Sequence, residues 1–232
     1  MIERLCDELE VPLRERNALH LSAGFAPPYA ERPLTELGVA RDAVEAVLRG
    51  HEPHPAMAVN VGWDLLAANQ ALHAFLSDVD PAFLAPPANA LRVMLHPDGL
   101  APKVRNYMQW RAATLRRVRR QLERSAAAGL RELLDELESY PPRPRHDDIP
   151  LPDNDLVMPV VLATDLGDIS LHHALTVFGA AKDVTLDEIA IETFFPADER
   201  SAELLHVLTS APTPAIGTAA VVPAKMGASL SS

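Results

Sequence analysis

Between Val59 and Leu76, in the stretch VNVGWDLLAANQALHAFL, the hydrophobic period changes partway along the chain. As far as about Ala68 the run is apolar and carries β-branched residues, broken at Gly62 by a turn residue. From Asn69 onward, Leu72, Phe75 and Leu76 fall at helical spacing. An asparagine side chain accepts a hydrogen bond from an orphan N–H of a first helical turn, which makes Asn69 the boundary. The stretch therefore reads as strand, tight turn, strand, cap and helix. A chain that opens this way needs further strands to complete a sheet and a helical layer to cover it.

Those strands come late. LVMPVVLAT, DISLHHALTVFG and EIAIETFF are strand-like, and Gly167-Asp168 is placed as the hairpin turn between the first two. Between the early pair and the late three lie a proline-rich bend (DPAFLAPPAN), the apolar run ALRVML, a long helix from about Lys103 to Ser125 and a shorter one from Leu130 to Glu138. YPPRPRHDDIPLPDND is expected to be a mobile loop, and residues 198–209 a helix. The order is two strands, a helical insertion, three strands. The economical fold is α+β: an antiparallel sheet with helices on one face, as in PAS domains, preceded by short helices.

The N-terminal region differs. IERLCDELEV sets Ile2, Leu5 and Leu9 on one stripe; Pro12 suits the first turn of a second helix, which Gly24 ends. So small a pair cannot bury its own apolar faces and requires a partner. Residues 25–38 read as a proline-rich linker, and VARDAVEAVLRGH as a helix with Val39, Ala43, Val44, Val47 and Leu48 inward. The tail from Ala211, with Lys225 its one ionisable side chain, is expected to be disordered.

Composition narrows the functional classes. With 232 residues, 48% apolar and 23% charged, the chain supports one globular domain with appendages. Cys6 alone excludes an internal disulfide framework and favours a reducing compartment. No apolar run approaches the roughly 20 residues of a membrane helix, and MIERLCDELE is no signal peptide. A cytoplasmic setting away from the membrane follows as the expectation. A net charge of −11 sets the whole chain against polyanions. No nucleophile elbow, phosphate loop or dinucleotide fingerprint occurs, so no enzyme, catalytic residue or cofactor is expected.

One segment runs against the acidic balance. From Lys103 to Arg131 there are nine Lys or Arg residues and only Glu123 as an acid, +8 locally against −19 elsewhere. A helical wheel puts Arg116, Arg117, Arg120 and Arg124 on one flank, with Val104, Met108, Leu115 and Leu122 opposite. The flank is either a surface for DNA phosphate or an acidic partner, or a solvated face paired with acids such as Glu132, Asp135 and Glu136. Arg111 and Arg119 fall within the apolar stripe, where a guanidinium must snorkel, find an internal carboxylate, or grip a ligand carboxylate. Trp63, Phe75, Met94, Met108, Trp110, Phe178 and Phe194 supply large apolar surface, for a core or for a pocket wall. His172 and His173 are adjacent on a strand and so point to opposite faces. The inward one could meet a ligand head group or a backbone carbonyl. No metal site is expected, because no cysteine or carboxylate stands at ligand spacing beside the histidines.

LCDELEVPLRERNALHLSAGFAPPY resembles the last helices of a Cro/repressor-like (XRE family) helix-turn-helix domain. HEPHPAMAVNVGWDLLAANQAL, NALRVMLHPDGL, Trp110 and GDISLHHALTVFG with DVTLDEIAIETFFPAD resemble the MmyB-type ligand-binding domain of regulators that carry it. The resemblance implies a remnant of the DNA-binding domain at 1–24, a linker and connecting helix at 25–54, a PAS-like ligand-binding domain at 55–210 and the tail at 211–232. It further implies a fatty-acid-like ligand, a homodimer, and DNA contact only through the helices absent here. The ligand-binding set is then Trp63, Phe75, Met94, Met108, Leu115 and Phe178 as walls, with Arg111, Arg119 and His173 for the head group. A protein-interaction or dimerisation module without a small molecule is the alternative. Two departures stand out: only the last pair of DNA-binding helices is present, without the recognition helix, and RPRHDDIPLPDND replaces a Trp-containing segment before the third strand.

Residues 1–232 are accordingly expected to show no sequence-specific DNA binding. Nanomolar affinity that discriminates between duplex sequences at physiological salt would overturn this.

Overall fold

The computed structural model describes residues 2–32, 36, 38–124, 127, 129–142 and 157–210. The expected mobile loop, for the most part, and the expected disordered tail lie outside them. Two short helices, α1 (Ile2–Glu8) and α2 (Leu13–Ser22), come first, then α3 (Gly38–Gly50). The hairpin β1 (Ala56–Val59) and β2 (Leu65–Ala68) leads through Asn69 into α4 (Gln70–Leu76). The insertion holds α5 (Pro81–Leu84), α6 (Ala90–Leu95), a 3₁₀ turn at Ala101–Lys103, α7 (Tyr107–Arg124) and α8 (Leu130–Ser139). Strands β3 (Val160–Thr164) and β4 (Gly167–Val177), the short α9 (Val184–Asp187), β5 (Ala190–Pro196) and α10 (Glu199–Ser210) complete it.

All neighbouring strands are antiparallel, in the order β2-β1-β5-β4-β3. Residues directly opposite one another share a face, so the register assigns each side chain. Val59, Phe194, Leu171, Ile169, Val160 and Leu162 point to one side and form the main core with Phe75, Leu91, Leu95, Leu115, Val118, Leu133 and Leu137 from α4, α6, α7 and α8. The opposite face is covered locally by α3, whose Val44 and Leu48 lie on Ala56, Ala58 and Ile191. Alanines fully buried at 56 and 58 let that helix come close to the sheet. The fold is α+β, with the inserted helices on one face as expected.

Asn69 holds the first switch of period together. Its Oδ1 accepts from Leu72 N at 3.1 Å and Ala56 N at 2.9 Å. Its Nδ2 donates to His54 O at 2.8 Å and Leu48 O at 3.3 Å. One buried side chain thus joins the end of α3, the start of β1 and the first turn of α4.

Several boundaries differ from expectation. The β3–β4 hairpin turns at Asp165–Leu166, with Thr164 opposite Gly167, rather than at Gly167-Asp168. Thr164 Oγ1 accepts from Leu166 N, and Gly167, at φ +128°, supplies a backbone angle that other residues avoid. Helix α7 starts at Tyr107 because the residues before it serve the sheet: Val104 bridges Leu162, Arg105 N donates to Val161 O, and buried Asn106 bonds Pro159 O and Val161 N. ALRVML is helix α6, capped by Asn89. Val39 points outward, 87% exposed, whereas Val44 and Leu48 are buried as expected.

The N-terminal pair is attached by polar contacts. Leu13 N donates to Asp187, Arg14 bridges Glu31 and Glu188, and Arg32 pairs with Asp183. Leu5, Leu9, Leu19, Leu21 and Phe25 remain exposed.

Asn69→Ala removes a cap and leaves buried carbonyl and N–H groups unpaired, each worth about 1 kcal/mol or more. A loss of about 3 kcal/mol in urea denaturation is expected; a loss below about 1 kcal/mol would show that Asn69 does not hold these elements together.

Candidate functional site

Strand β5 presents Ile191 and Thr193 to one face and Ala190, Glu192 and Phe194 to the helical face. That alternation forces a carboxylate under the helices: Glu192 is 2% exposed. A buried charge must be paired. Arg117 of α7 supplies the fork, with Nη2 at 2.6 Å from Oε1 and Nη1 at 3.3 Å from Oε2. His173, on the same face of β4, places Nε2 against Oε2. Burial pushes the Glu192 carboxyl up, but hydrogen bonds from His173 and Arg117, with their charges, outweigh it and hold it below the usual carboxylate range.

Aromatic side chains enclose this charge cluster. The Arg117 guanidinium lies over Trp63, 4.5 Å from the ring centroid. Trp110 meets the His173 ring edge-to-face at 6.2 Å, and Phe194 lies at 5.4 Å from it. Trp63 has its own anchor: Nε1 donates to Gln121 Oε1 at 2.9 Å, and Gln121 Nε2 donates to Val61 O at 2.8 Å. Its backbone sits at φ +68°, a conformation a large side chain rarely adopts and which costs about 1–3 kcal/mol. The turn is held there by Asn60, which accepts from Gly62 N and Asp64 N, and by Asn89, which donates to Gly62 O. Trp110 Nε1 is buried without a hydrogen-bond partner among the described residues. The arrangement brings together an aromatic wall, a buried indole N–H without a partner among the described residues and a guanidinium whose side chain is still 31% exposed.

The candidate residues from sequence divide between places. Trp63, Phe75, Met94, Met108 and Leu115 share the main core cluster, and His173 stands at its polar edge. Phe178 belongs to the cluster on the other face of the sheet. Arg111 and Arg119 turn toward α8: Arg111 Nη2 donates to the carbonyls of Leu137, Glu138 and Tyr140, and Arg119 pairs with Glu138 at 2.7 Å. Arg119 also borders an open groove of about 280 Å³ between α7 and α8, lined by both signs of charge.

Arg117, Glu192, Gln121 and the polar edge of Trp110 were missed. Part of the signal was legible. Glu192 is the one acid on the inward side of an apolar strand, and Trp110, Arg117 and Gln121 recur at intervals of seven and four on one helix.

Among the described residues no group of three or more His, Cys, Asp or Glu side chains is placed to hold a metal ion. No described helix is long and apolar enough to cross a membrane. The profile of the family described as MmyB-like transcription regulator ligand binding domain matches residues 40–208, which take in the hairpin, the helical insertion and the late strands. No curated protein matches the chain.

Because the folded-state carboxyl of Glu192 titrates below its ordinary 4.5, its stabilisation is fully present above that pH and is lost as pH falls through the lower folded value. Glu192→Gln should reduce stability at pH 7 by about 3 kcal/mol, since Arg117 loses its counter-charge. The gap to wild type should shrink in denaturation at pH 3. A gap that stays constant would separate Glu192 from the acid dependence.

Proposed function

This chain belongs to the family of MmyB-like transcription regulator ligand binding domains, and from that premise we propose that it senses a fatty-acid-like amphiphile in a PAS-like pocket on the helical face of the sheet. The strand order and the one-sided helical insertion support the PAS-like description. The observation that carries the ligand site is the Arg117–Glu192–His173 cluster, enclosed by Trp63, Trp110 and Phe194, with the indole N–H of Trp110 unpaired beside it.

Glu192 already occupies most of the Arg117 fork, so the head group meets the Trp110 N–H and the free edge of the guanidinium. The alkyl chain then follows the apolar side chains of Phe75, Met94, Met108 and Leu115. Burying about 12 methylenes at about 0.8 kcal/mol each gives roughly 10 kcal/mol gross. Ordering the ligand removes half or more, leaving micromolar affinity. Response follows by population shift: the ligand favours one arrangement of two protomers in a cytoplasmic regulator dimer. The exposed Leu5, Leu9, Leu19, Leu21 and Phe25 support a contact through the N-terminal helices; Leu48 of α3 is covered by its own chain and takes no part in it. The same exposed residues favour a second reading, a protein-interaction module without a small molecule.

Lipid-stripped protein titrated with acids of about eight to eighteen carbons, by calorimetry and native mass spectrometry, tests the proposal. Binding tighter than about 100 μM is expected. Trp110→Phe should weaken it about tenfold through the lost donor, and Arg119→Ala should leave it unchanged. If no acid binds, the ligand class is wrong and the interaction module takes its place. If acids bind and Trp110→Phe is silent, the head group lies elsewhere.

A further inference from the structure

We propose that the outer face of α7 is a contact for the phosphate backbone of double-stranded DNA, beyond the ligand-sensing role and independent of any sequence reading. Arg116, Arg120 and Arg124 recur every fourth residue and are all exposed. None makes an ion pair within 4 Å among the described residues, in contrast to Arg92, Arg105, Arg117 and Arg119, which all do. Like charges at this spacing repel one another within a helix. The acids expected to neutralise them are engaged elsewhere or stand apart: Glu136 is held by Arg92, and Glu132 and Asp135 make no ion pair with the stripe among the described residues. Glu123, exposed on the same face, makes no ion pair with them within 4 Å among the described residues. In a chain of net charge −11, three guanidinium groups against one acid leave a local surplus that marks a site for an anion.

The surroundings select the kind of anion. A protein partner needs an apolar anchor at the centre of its contact. No large hydrophobic side chain of α7 or α8 is among the exposed ones, and the residues beside the arginines are Ala112, Ala113 and Gln109. A phosphate backbone needs no such anchor: its contacts are polar, wet and dominated by arginine. The arginines span about 12 Å along the helix, enough for successive phosphates of one strand. Glu123 opposes the contact from within the helix, one charge against three, whereas acids more than a screening length of about 8 Å away act weakly on it at physiological salt. The stripe therefore adds affinity to DNA already held nearby rather than recruiting it.

Residues 1–232 mixed with fluorescent duplexes of two unrelated sequences at about 20 mM salt should raise the anisotropy equally for both. The logarithm of the association constant should fall with the logarithm of salt concentration with a slope of about −2.7, for three phosphate contacts. The combined change Arg116→Gln, Arg120→Gln and Arg124→Gln should abolish that binding without altering thermal stability. Arg41→Gln, at an exposed arginine paired with Glu45, should change nothing. Absence of binding by the wild-type protein would overturn the proposal, as would binding that survives the triple change or falls equally with Arg41→Gln. Displacement by poly-glutamate as effective as by unlabelled duplex would also overturn it, in favour of an acidic protein partner.

Discussion

A carboxylate placed under a helix is the constraint around which this fold is arranged. Glu192 sits on the inward face of the strand between β1 and β4, beside Phe194 of the core and opposite Leu175, at which the sheet begins to open to solvent. Leaving its charge unpaired there would cost several kcal/mol, so α7 must present a cation at one height and one angle above the sheet. Arg117 does so, and Trp63 stacks on the back of the guanidinium, which fixes the β1–β2 turn to the same helix. A hydrophobic contact alone would tolerate sliding of α7 along the sheet. A bidentate ion pair with an aromatic ring behind it does not.

The other fixed points are asparagines, placed where the chain changes period. Asn60 closes the β1–β2 turn, Asn69 joins α3, β1 and α4, Asn89 caps α6 and reaches back to Gly62, and Asn106 ties the approach to α7 onto β3. Asn69, Asn89 and Asn106 are buried. An amide carries both donors and an acceptor, so one side chain satisfies the N–H of one element and the carbonyl of another. Segments that meet away from water leave such groups exposed in pairs, and these residues supply both halves.

What could be read from sequence follows from the range of the physics. The two-residue alternation in β5, the helical spacing after Asn69 and the asparagine cap are local, and the elements they indicate are present. The fold class follows from the order of those elements. The boundaries that differed depend on contacts far along the chain: α7 starts late because Val104 to Asn106 are used by β3, some 55 residues on. The site was harder still. Arg117 falls beside Arg116, Arg120 and Arg124 on a two-sided wheel, but α7 has three sides: the sheet, α8 and solvent. Only the acid facing it from β5 distinguishes Arg117 from its neighbours, and that pairing spans 75 positions.

Three sides on one helix also bear on how a signal could leave the site. The sheet side of α7 holds Trp110, Arg117 and Gln121; the α8 side holds Arg111 and Arg119; the solvent side holds the unpaired arginines. A helix is stiff along its length, so a displacement at Trp110 or Arg117 moves all three sides together. The polar contacts to α8 and to the sheet fix where α7 rests in this structure. On the proposed reading, a ligand that bonds the Trp110 N–H and borrows part of the Arg117 fork would alter one of those two anchors and leave the other. It can bias the position of α7 only by as much as it binds one position more tightly than the other. Most apolar contacts along the core change little when a helix shifts slightly. The differential energy must therefore come from the few directional groups, Glu192 foremost, whose hydrogen bonds lengthen or shorten as the helix moves.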